Sequence, residues 1–99
     1  CLSRALRAGA DVAGFGPSAI RRAAREVLVE EPLALVSYLV LVHPHTLADV
    51  PEWYRGEALL AVAARVGTTR LIDNSPILVG PGGGALDVFS DVPHARADV

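Results

Sequence analysis

The sequence predicts an α+β domain in which two helices cover one face of a small antiparallel sheet of about three strands. Two amphipathic patterns with a helical period come first, and apolar stretches with a two-residue period follow them. The chain has 99 residues, which is enough for one domain with one hydrophobic core. Hydrophobic residues make up 52% of the chain and charged residues 20%, so the composition predicts a folded domain and excludes intrinsic disorder.

The first two elements are predicted as helices. Residues 1–10 carry apolar side chains on one side of a helix, namely Leu2, Ala5, Leu6 and Ala10. Pro17 suits the first turn of a second helix, because a backbone N–H at that position would have no partner in the helix anyway. This second helix, over 18–30, ends before Pro32 and also has one apolar stripe, formed by Ile20, Ala23, Ala24, Val27 and Leu28.

A change of period after Pro32 predicts the first strand. Residues 35–42 are rich in β-branched and aromatic side chains and are largely apolar on both faces. A strand of this kind needs a cover on its second face, either from another domain of a longer chain or from another copy. The following connection, 43–55, contains two prolines and is predicted to hold one helical turn at 46–49.

The second strand is predicted over 57–66, although an alanine-rich stretch of this length fits a helix as well. We prefer a strand because Gly67-Thr68-Thr69 is typical of a turn, after which 70–73 can return antiparallel. Asn74-Ser75-Pro76 then predicts a break before a last short strand at 77–79. The glycine-rich residues 80–99 are predicted to be a flexible tail, so that the folded domain covers 1–79.

Charge and cysteine content exclude several classes of protein. The net charge of −2 and the pI near 5.8 argue against a nucleic-acid or anionic-membrane partner. Apolar stretches such as 33–42 are far shorter than the roughly 20 residues that cross a bilayer. A single cysteine, Cys1, allows no intrachain disulfide and is typical of a reducing cytoplasm. The lack of methionine and a helical pattern already present at Cys1 predict that the chain is part of a longer polypeptide.

Two motifs suggest ligand chemistry but lack the residues that would complete a site. His43 and His45 have a spacing found in zinc sites, with His94 as a possible third ligand, but Cys1 lies at the end of the chain and His94 lies in the predicted tail. Solvent-exposed loop histidines are the simpler interpretation. The glycine-rich stretch 80–84 lacks the lysine and hydroxyl residue of a phosphate-binding loop, so a flexible segment is favoured.

Three further groups have both a functional and a structural interpretation. Arg21, Arg22 and Arg25 could face nucleotide phosphates, but a solvated helix face paired with Glu26 is the default. No serine lies in the glycine-flanked turn of a Ser-His-Asp hydrolase. The pair Trp53-Tyr54 fits an interface anchor and a contact of the loop with the core equally well.

The stretch Ala63-Ala-Arg-Val-Gly-Thr-Thr-Arg-Leu-Ile-Asp-Asn74 resembles a signature of the pantoate-beta-alanine ligase family. Shorter segments agree with the same family in the same order, and the resemblance covers about residues 2–79. These segments are Leu2–Leu6, Ala23–Leu28, Ser37–Leu39 and Thr46-Leu47. The family usually has acidic residues where this chain has Val40 and His43, which weakens the case for a polar role of that strand.

The resemblance implies a cytoplasmic, ATP-dependent ligase. Such an enzyme activates pantoate as pantoyl adenylate with release of pyrophosphate, and the amine of beta-alanine then displaces AMP to give pantothenate. In this family a larger amino-terminal nucleotide-binding domain holds ATP and Mg²⁺ through a His-x-Gly-His motif and a Lys-Met-Ser-Lys-Ser-like loop. This chain contains neither motif. It resembles the smaller carboxy-terminal domain, which acts as a lid and excludes water from a hydrolysable adenylate.

The sequence therefore predicts a lid domain with no catalytic, cofactor-binding or metal-binding residue of its own. Its expected partners are the amino-terminal domain of the parent protein and a second copy of itself. The alternative is a stand-alone interaction or dimerisation module without catalysis. Arg70 and Asp73 invite assignment as substrate ligands, but we expect a partly buried Arg70 that stabilises the lid, joined to Asp73 across a bend at 74–76.

Overall fold

A computed structural model describes residues 2–86 and forms one α+β unit of two helices and a four-stranded sheet. Helix α1 spans Leu2–Asp11, a short 3-10 turn spans Ala13–Phe15, and helix α2 spans Pro17–Val29. Both helices confirm the periodicity argument. The predicted stripe of α1 is buried, and Ile20, Ala24 and Leu28 of α2 are fully buried as well. The proline begins α2 as predicted, directly after a glycine that has a φ of 99°.

The sheet is antiparallel throughout and has the order β1-β2-β3-β4. Strand β1 spans Ala34–Val42, β2 spans Gly56–Val66, β3 spans Thr69–Val79 and β4 spans Gly84–Ala85. Val66 and Thr69 pair, which leaves a two-residue hairpin loop that begins at Gly67 with a φ of 63°. That angle lies in the left-handed region favoured by glycine, so the predicted turn is confirmed.

Strand β3 differs from the prediction because it continues through residues 74–76 instead of breaking there. Pro76 pairs with Leu59 of β2. Its carbonyl oxygen accepts a hydrogen bond from the Leu86 N–H, so its backbone faces away from β2. The missing N–H of the proline therefore removes no hydrogen bond from the β2–β3 ladder. The two predicted strands 70–73 and 77–79 are one strand.

The connection 43–55 also differs from the prediction, since it forms no helical turn. The His43 N–H donates to the Ala48 oxygen, the Leu47 N–H donates to the His43 oxygen, and Leu47 has a φ of 62°. These bonds make a tight loop that brings Asp49 beside Val42, where the two residues form a β-bridge. The helical propensity of four residues is too weak to compete with this pairing.

The core lies between the helices and one face of the sheet. Side chains alternate along β2, so Ala58, Leu60, Val62 and Ala64 face the helices and are almost completely buried. The opposite face of the sheet, called the outer face below, carries Leu59, Ala61 and Ala63 from the same strand. The placement of both helices on one face was predicted, and the structure confirms it.

Residues 80–86, which the sequence assigned to a flexible tail, are folded against the domain. The Gly80 N–H donates to the Ala13 oxygen at 3.0 Å, and Gly84 pairs with Leu78 of β3. The rest of the predicted tail, 87–99, lies outside the described residues. Neither helix among residues 2–86 is long and apolar enough to cross a membrane.

Candidate functional site

A groove of about 520 Å³ lies between α1 and the edge formed by β3 and β4. Both the apolar stripe of α1, through Leu6 and Ala10, and the neighbouring polar positions of the helix line it. Helix α1 contributes one wall of the groove, formed by Ser3, Leu6, Arg7, Ala10 and Asp11. The other wall consists of residues 73–76 of β3 and residues 83–86 around β4.

The groove combines charged groups of both signs with neutral polar groups. Arg7 and Asp11 are one helical turn apart on α1, and Asp73 lies on the strand wall. A carboxylate oxygen of Asp73 accepts the backbone N–H of Asn74 at 2.8 Å, which orients the carboxylate. Hydroxyl groups of Ser3 and Ser75 complete the polar lining. Such a surface can bind a small molecule that carries both charge signs, or a polar segment of a neighbouring domain.

The groove does not assemble a nucleophile with a base. Its serines have no histidine beside them among the lining residues, and the described histidines His43 and His45 belong to the loop after β1. Residues 2–86 contain no group of three or more histidine, cysteine or carboxylate side chains placed to hold a metal ion. The arrangement offers carboxylate, guanidinium and hydroxyl groups for binding, and no histidine lies among its lining residues to activate a serine.

The signature residues 63–74 are divided among three places. Gly67 forms the hairpin turn, Asp73 and Asn74 line the groove, and Arg70 lies on the outer face directly opposite Arg65. Arg70 is exposed, so the expectation that it is partly buried and holds the domain together was wrong. Arg70 and Asp73 lie on opposite faces because β3 remains extended where the sequence suggested a bend.

A second polar cluster, the α2 cap, fixes the connection 43–55 to the start of α2. A carboxylate oxygen of Glu52 accepts hydrogen bonds from the backbone N–H of Ser18 at 2.9 Å and from its hydroxyl at 2.5 Å. The hydrogen bond from the Ser18 side chain lowers the pKa of the Glu52 carboxyl, and the positive charges of Arg21 and Arg55 lower it further. The cap is therefore built to hold an ionised carboxylate at a helix N-terminus.

The arginines of α2 have structural surroundings. Arg21 donates from Nη2 to the Val50 carbonyl oxygen at 3.0 Å, beside the α2 cap, whereas Arg22 and Arg25 are exposed. The connection is thus tied to α2 at both Val50 and Glu52. The three arginines do not line the groove.

The histidines and aromatic residues of the connection also have local roles. The Nδ1 atom of His43 accepts the backbone N–H of His45 at 3.1 Å, and the His43 ring makes an edge contact with Tyr54. Tyr54 packs against the core and its hydroxyl donates to the Glu57 carbonyl oxygen, while Trp53 is exposed. Of the two interpretations of the aromatic pair, the core contact describes Tyr54. His94, the third zinc ligand considered from the sequence, lies outside the described residues, as does Cys1.

Sequence reasoning missed the groove and the α2 cap. The groove depends on which strand α1 packs against, and no local pattern encodes that contact. The cap joins residues 34 positions apart. The sequence did hold a weak signal for the cap. Ser18 directly follows the first helical residue, so its backbone N–H needs an acceptor from outside the helix. Glu52 is an acidic residue in a proline-rich loop and can supply that acceptor.

Comparison with known proteins gives a consistent set of relatives. The family model described as pantoate-beta-alanine ligase matches residues 1–76. The pantothenate synthetase of Thermobifida fusca is 55% identical over 80 residues, which cover 77% of this chain and 27% of that enzyme. That of Streptomyces avermitilis is 54% identical over 69 residues, 66% of this chain and 21% of the enzyme.

A solved structure agrees with these relatives. The crystal structure of pantothenate synthetase from Thermus thermophilus superimposes with a TM-score of 0.67 at 41% identity, and it covers 74% of this chain. The chain spans about a quarter of the length of the relatives and of the solved structure that it matches.

Proposed function

Because the chain belongs to the pantoate-beta-alanine ligase family, we propose that it is the carboxy-terminal lid domain of an ATP-dependent pantothenate synthetase. The parent enzyme would join pantoate to beta-alanine through a pantoyl adenylate in the cytoplasm. ATP and Mg²⁺ are its substrates, and an amino-terminal nucleotide-binding domain would hold them. The observation that carries the proposal is the match of residues 1–76 to the family, and a polar groove of mixed charge between α1 and β3 supports it.

The mixed polar lining of the groove supports the lid proposal. An acyl adenylate is lost to hydrolysis when water reaches it, so a domain that covers the reacting groups raises the yield without a chemical group of its own. The mixed charges of Arg7, Asp11 and Asp73 offer polar contacts to an opposing surface. The α2 cap and the Arg21 contact tie the connection 43–55 to α2, so the two would move together in a closing domain.

A chimera tests the proposal. Residues 2–86 of this chain, which include β4 and both walls of the groove, replace the corresponding carboxy-terminal region of the Thermobifida fusca enzyme, and pantothenate formation from pantoate, beta-alanine and ATP is measured. We expect the chimera to retain at least about a tenth of the parental rate and the truncated enzyme to lose at least about a hundredfold. The 99-residue chain alone is expected to form no pantothenate and to bind no ATP by calorimetry.

Two controls make the outcome decisive. Circular dichroism establishes that the chimera, the truncated enzyme and the isolated chain are folded. A folded chimera no more active than the truncated enzyme would contradict the lid proposal, and so would robust pantothenate formation by the isolated chain. Activity in the chimera requires that this chain supply a surface compatible with the amino-terminal domain of the relative.

A further inference from the structure

The loop 43–49, which follows β1, is organised around His43. The backbone N–H of His43 donates to the Ala48 carbonyl oxygen at 2.9 Å, and the carbonyl oxygen of His43 accepts the Leu47 N–H at 2.9 Å. The ring takes part as well, because its Nδ1 atom accepts two backbone N–H groups of the same loop. They belong to His45, at 3.1 Å, and to Thr46, at 3.4 Å. One residue therefore holds the loop closed through both its backbone and its side chain.

The loop needs this support because its backbone is strained at Leu47. Leu47 has a φ of 62°, in the left-handed region that residues with a Cβ atom avoid. Its side chain is 63% exposed, so little packing against the core offsets the strain. The Ala48 N–H also donates to the Thr46 hydroxyl oxygen at 3.3 Å. Hydrogen bonds within the loop, most of them made by His43, are therefore what keeps Leu47 in this conformation.

Only one protonation state of the His43 ring can make the bonds at Nδ1. A neutral imidazole that carries its proton on Nε2 presents a lone pair at Nδ1, whereas an imidazolium carries a proton on both nitrogens and accepts no hydrogen bond. The two bonds from the loop backbone therefore require a neutral ring. Imidazoles in proteins ordinarily take up the second proton between about pH 8 and about pH 5.

Two titratable side chains face the His43 ring. His45, in the same loop, has its ring centroid 5.7 Å away, so protonation of both rings places two positive charges side by side. Tyr54, from the segment before β2, meets the ring edge-on at 6.2 Å, and its hydroxyl donates to the Glu57 carbonyl oxygen. Within residues 2–86 no carboxylate forms a hydrogen bond or an ion pair with His43 that would keep a charged ring in place.

We propose that His43 is a pH-sensitive switch of the loop 43–49, which stays closed while the ring is neutral and opens when Nδ1 is protonated. Protonation turns Nδ1 from an acceptor into a donor, so the backbone N–H groups that it had bound then face another N–H. The loop opens because this repulsion and the strain at Leu47 act in the same direction. The switch is a property of the loop itself and does not depend on the proposed ligase role.

The rest of the connection 43–55 stays attached to α2 when the switch opens. Arg21 holds the Val50 carbonyl oxygen with a guanidinium that keeps its charge throughout this range. Hydrogen bonds from Ser18 keep the pKa of Glu52 below its ordinary value of 4.5, so the α2 cap remains ionised down to about pH 5. Between about pH 7 and about pH 5 the connection therefore loosens at 43–49 and is held at Val50 and Glu52.

Amide exchange with water, measured by NMR on the 99-residue chain, tests the switch. The exchange rates of the His45 and Thr46 amides are measured from about pH 7.5 to about pH 5, and each is divided into the rate of an unstructured peptide at the same pH. This ratio is the protection of the amide. We expect the protection of both amides to fall at least about threefold as the pH falls through this range.

Substitutions separate the switch from other effects of acid. In His43→Asn the side-chain oxygen can accept the N–H two residues on, as in an Asx turn, and it does not titrate, so protection should change less than about 1.5-fold. His43→Asp supplies a carboxylate oxygen in the same place and is the second variant should His43→Asn disturb the fold. His45→Asn is the matched control, because the His45 ring accepts neither bond, and it should keep a fall of at least about twofold.

Three results would overturn the proposal. They are protection that does not change with pH in the unmodified chain, an equal fall in the folded His43 variants, and loss of the fall in His45→Asn. Circular dichroism at each pH establishes that the variants are folded. The first result would show that the loop stays closed around a charged ring, and the other two would assign the pH dependence to a group other than His43.

Discussion

At the scale of single residues, Glu52 shows how a loop side chain determines the start of a helix. Helix α2 begins after a glycine and has no side-chain cap of its own. Instead, a carboxylate oxygen of Glu52 accepts a hydrogen bond from the backbone N–H of Ser18. This bond joins the connection 43–55 to the start of α2. The first turn of a helix has unpaired N–H groups and a positive partial charge, so an ionised carboxylate is favoured there.

Replacing the Glu52 carboxylate should reveal this cap through its pH dependence. The pKa of Glu52 in the folded chain lies below the ordinary value of 4.5. The stability contributed by the ionised group is therefore complete above that value and is lost as the pH falls through the lower folded pKa. We expect Glu52→Gln to lower the melting temperature at about pH 7, and the difference from the unmodified chain to shrink towards about pH 3.

Glu26→Gln provides the comparison for this pH series, because Glu26 is an exposed carboxylate on the same helix. At about pH 7, Glu26→Gln should lower the melting temperature less than Glu52→Gln does, because Glu52 accepts the hydrogen bonds of Ser18 at the start of α2. A Glu52→Gln difference that is independent of pH would show that the carboxylate charge contributes nothing to the cap.

Arg70 belongs to the signature but not to the core, and its removal should be nearly neutral. An exposed arginine opposite another arginine contributes little packing and some repulsion. We expect Arg70→Ala to change the free energy of unfolding of the monomer by less than about 0.5 kcal/mol, measured by urea denaturation. Arg21→Ala, which removes the hydrogen bond to the Val50 carbonyl, should cost about 1 kcal/mol. A loss of about 3 kcal/mol or more for Arg70→Ala would restore the buried role expected from the sequence.

At the scale of elements, local patterns were sufficient to predict both helices and the β2–β3 hairpin. Both predictions rest on short stretches of sequence, namely apolar residues at helical spacing and a glycine at the turn. The predicted break at 74–76 was wrong because it considered only the local sequence. Asn-Ser-Pro is a local turn signal, but β2 supplies a partner over the whole length of β3, and Pro76 has its backbone directed away from that partner. The pairing of β3 with β2 therefore outweighed the turn preference of these three residues.

The packing of α1 on the sheet depends on Gly9, whose role the sequence did not show. A Cβ atom at this position would lie 2.7 Å from Cδ2 of Leu60 and 3.2 Å from the Ile20 carbonyl oxygen. Leu60 and Ile20 are fully buried, so neither can move freely. The glycine lets α1 approach α2 and β2 closely.

Gly9→Ala should therefore destabilise the domain although alanine is the better helix former. Overpacking of a core costs about 1 to 3 kcal/mol, against a gain of up to about 1 kcal/mol in helix propensity. We expect a net loss of about 1 kcal/mol or more in urea denaturation. Gly14→Ala is the matched control, since its Cβ would lie 3.5 Å from its nearest neighbour, and it should be neutral or slightly stabilising. Equal effects of the two substitutions would show that the packing of α1 against Leu60 and Ile20 has room for a Cβ atom at position 9.

At the scale of the whole molecule, the domain has two faces with different properties. The polar groove lies on the helix side between α1 and β3, whereas the outer face of the sheet is apolar with charged ends. The resemblance in the sequence was enough to predict the family. It could not predict the groove, because the groove depends on contacts between α1 and strands that are distant in the sequence.

The central claim, that this chain excludes water from an acyl adenylate, is tested most directly by the stoichiometry of the chimera. AMP and pantothenate are measured together at saturating beta-alanine for the chimera, the intact Thermobifida fusca enzyme and its truncated form. Each AMP released without pantothenate counts one adenylate lost to water. We expect a ratio of AMP to pantothenate near one for the chimera and the intact enzyme, and a ratio well above one for the truncated form. A folded chimera that releases as much AMP per pantothenate as the truncated enzyme, or a truncated enzyme with a ratio of one, would contradict the claim.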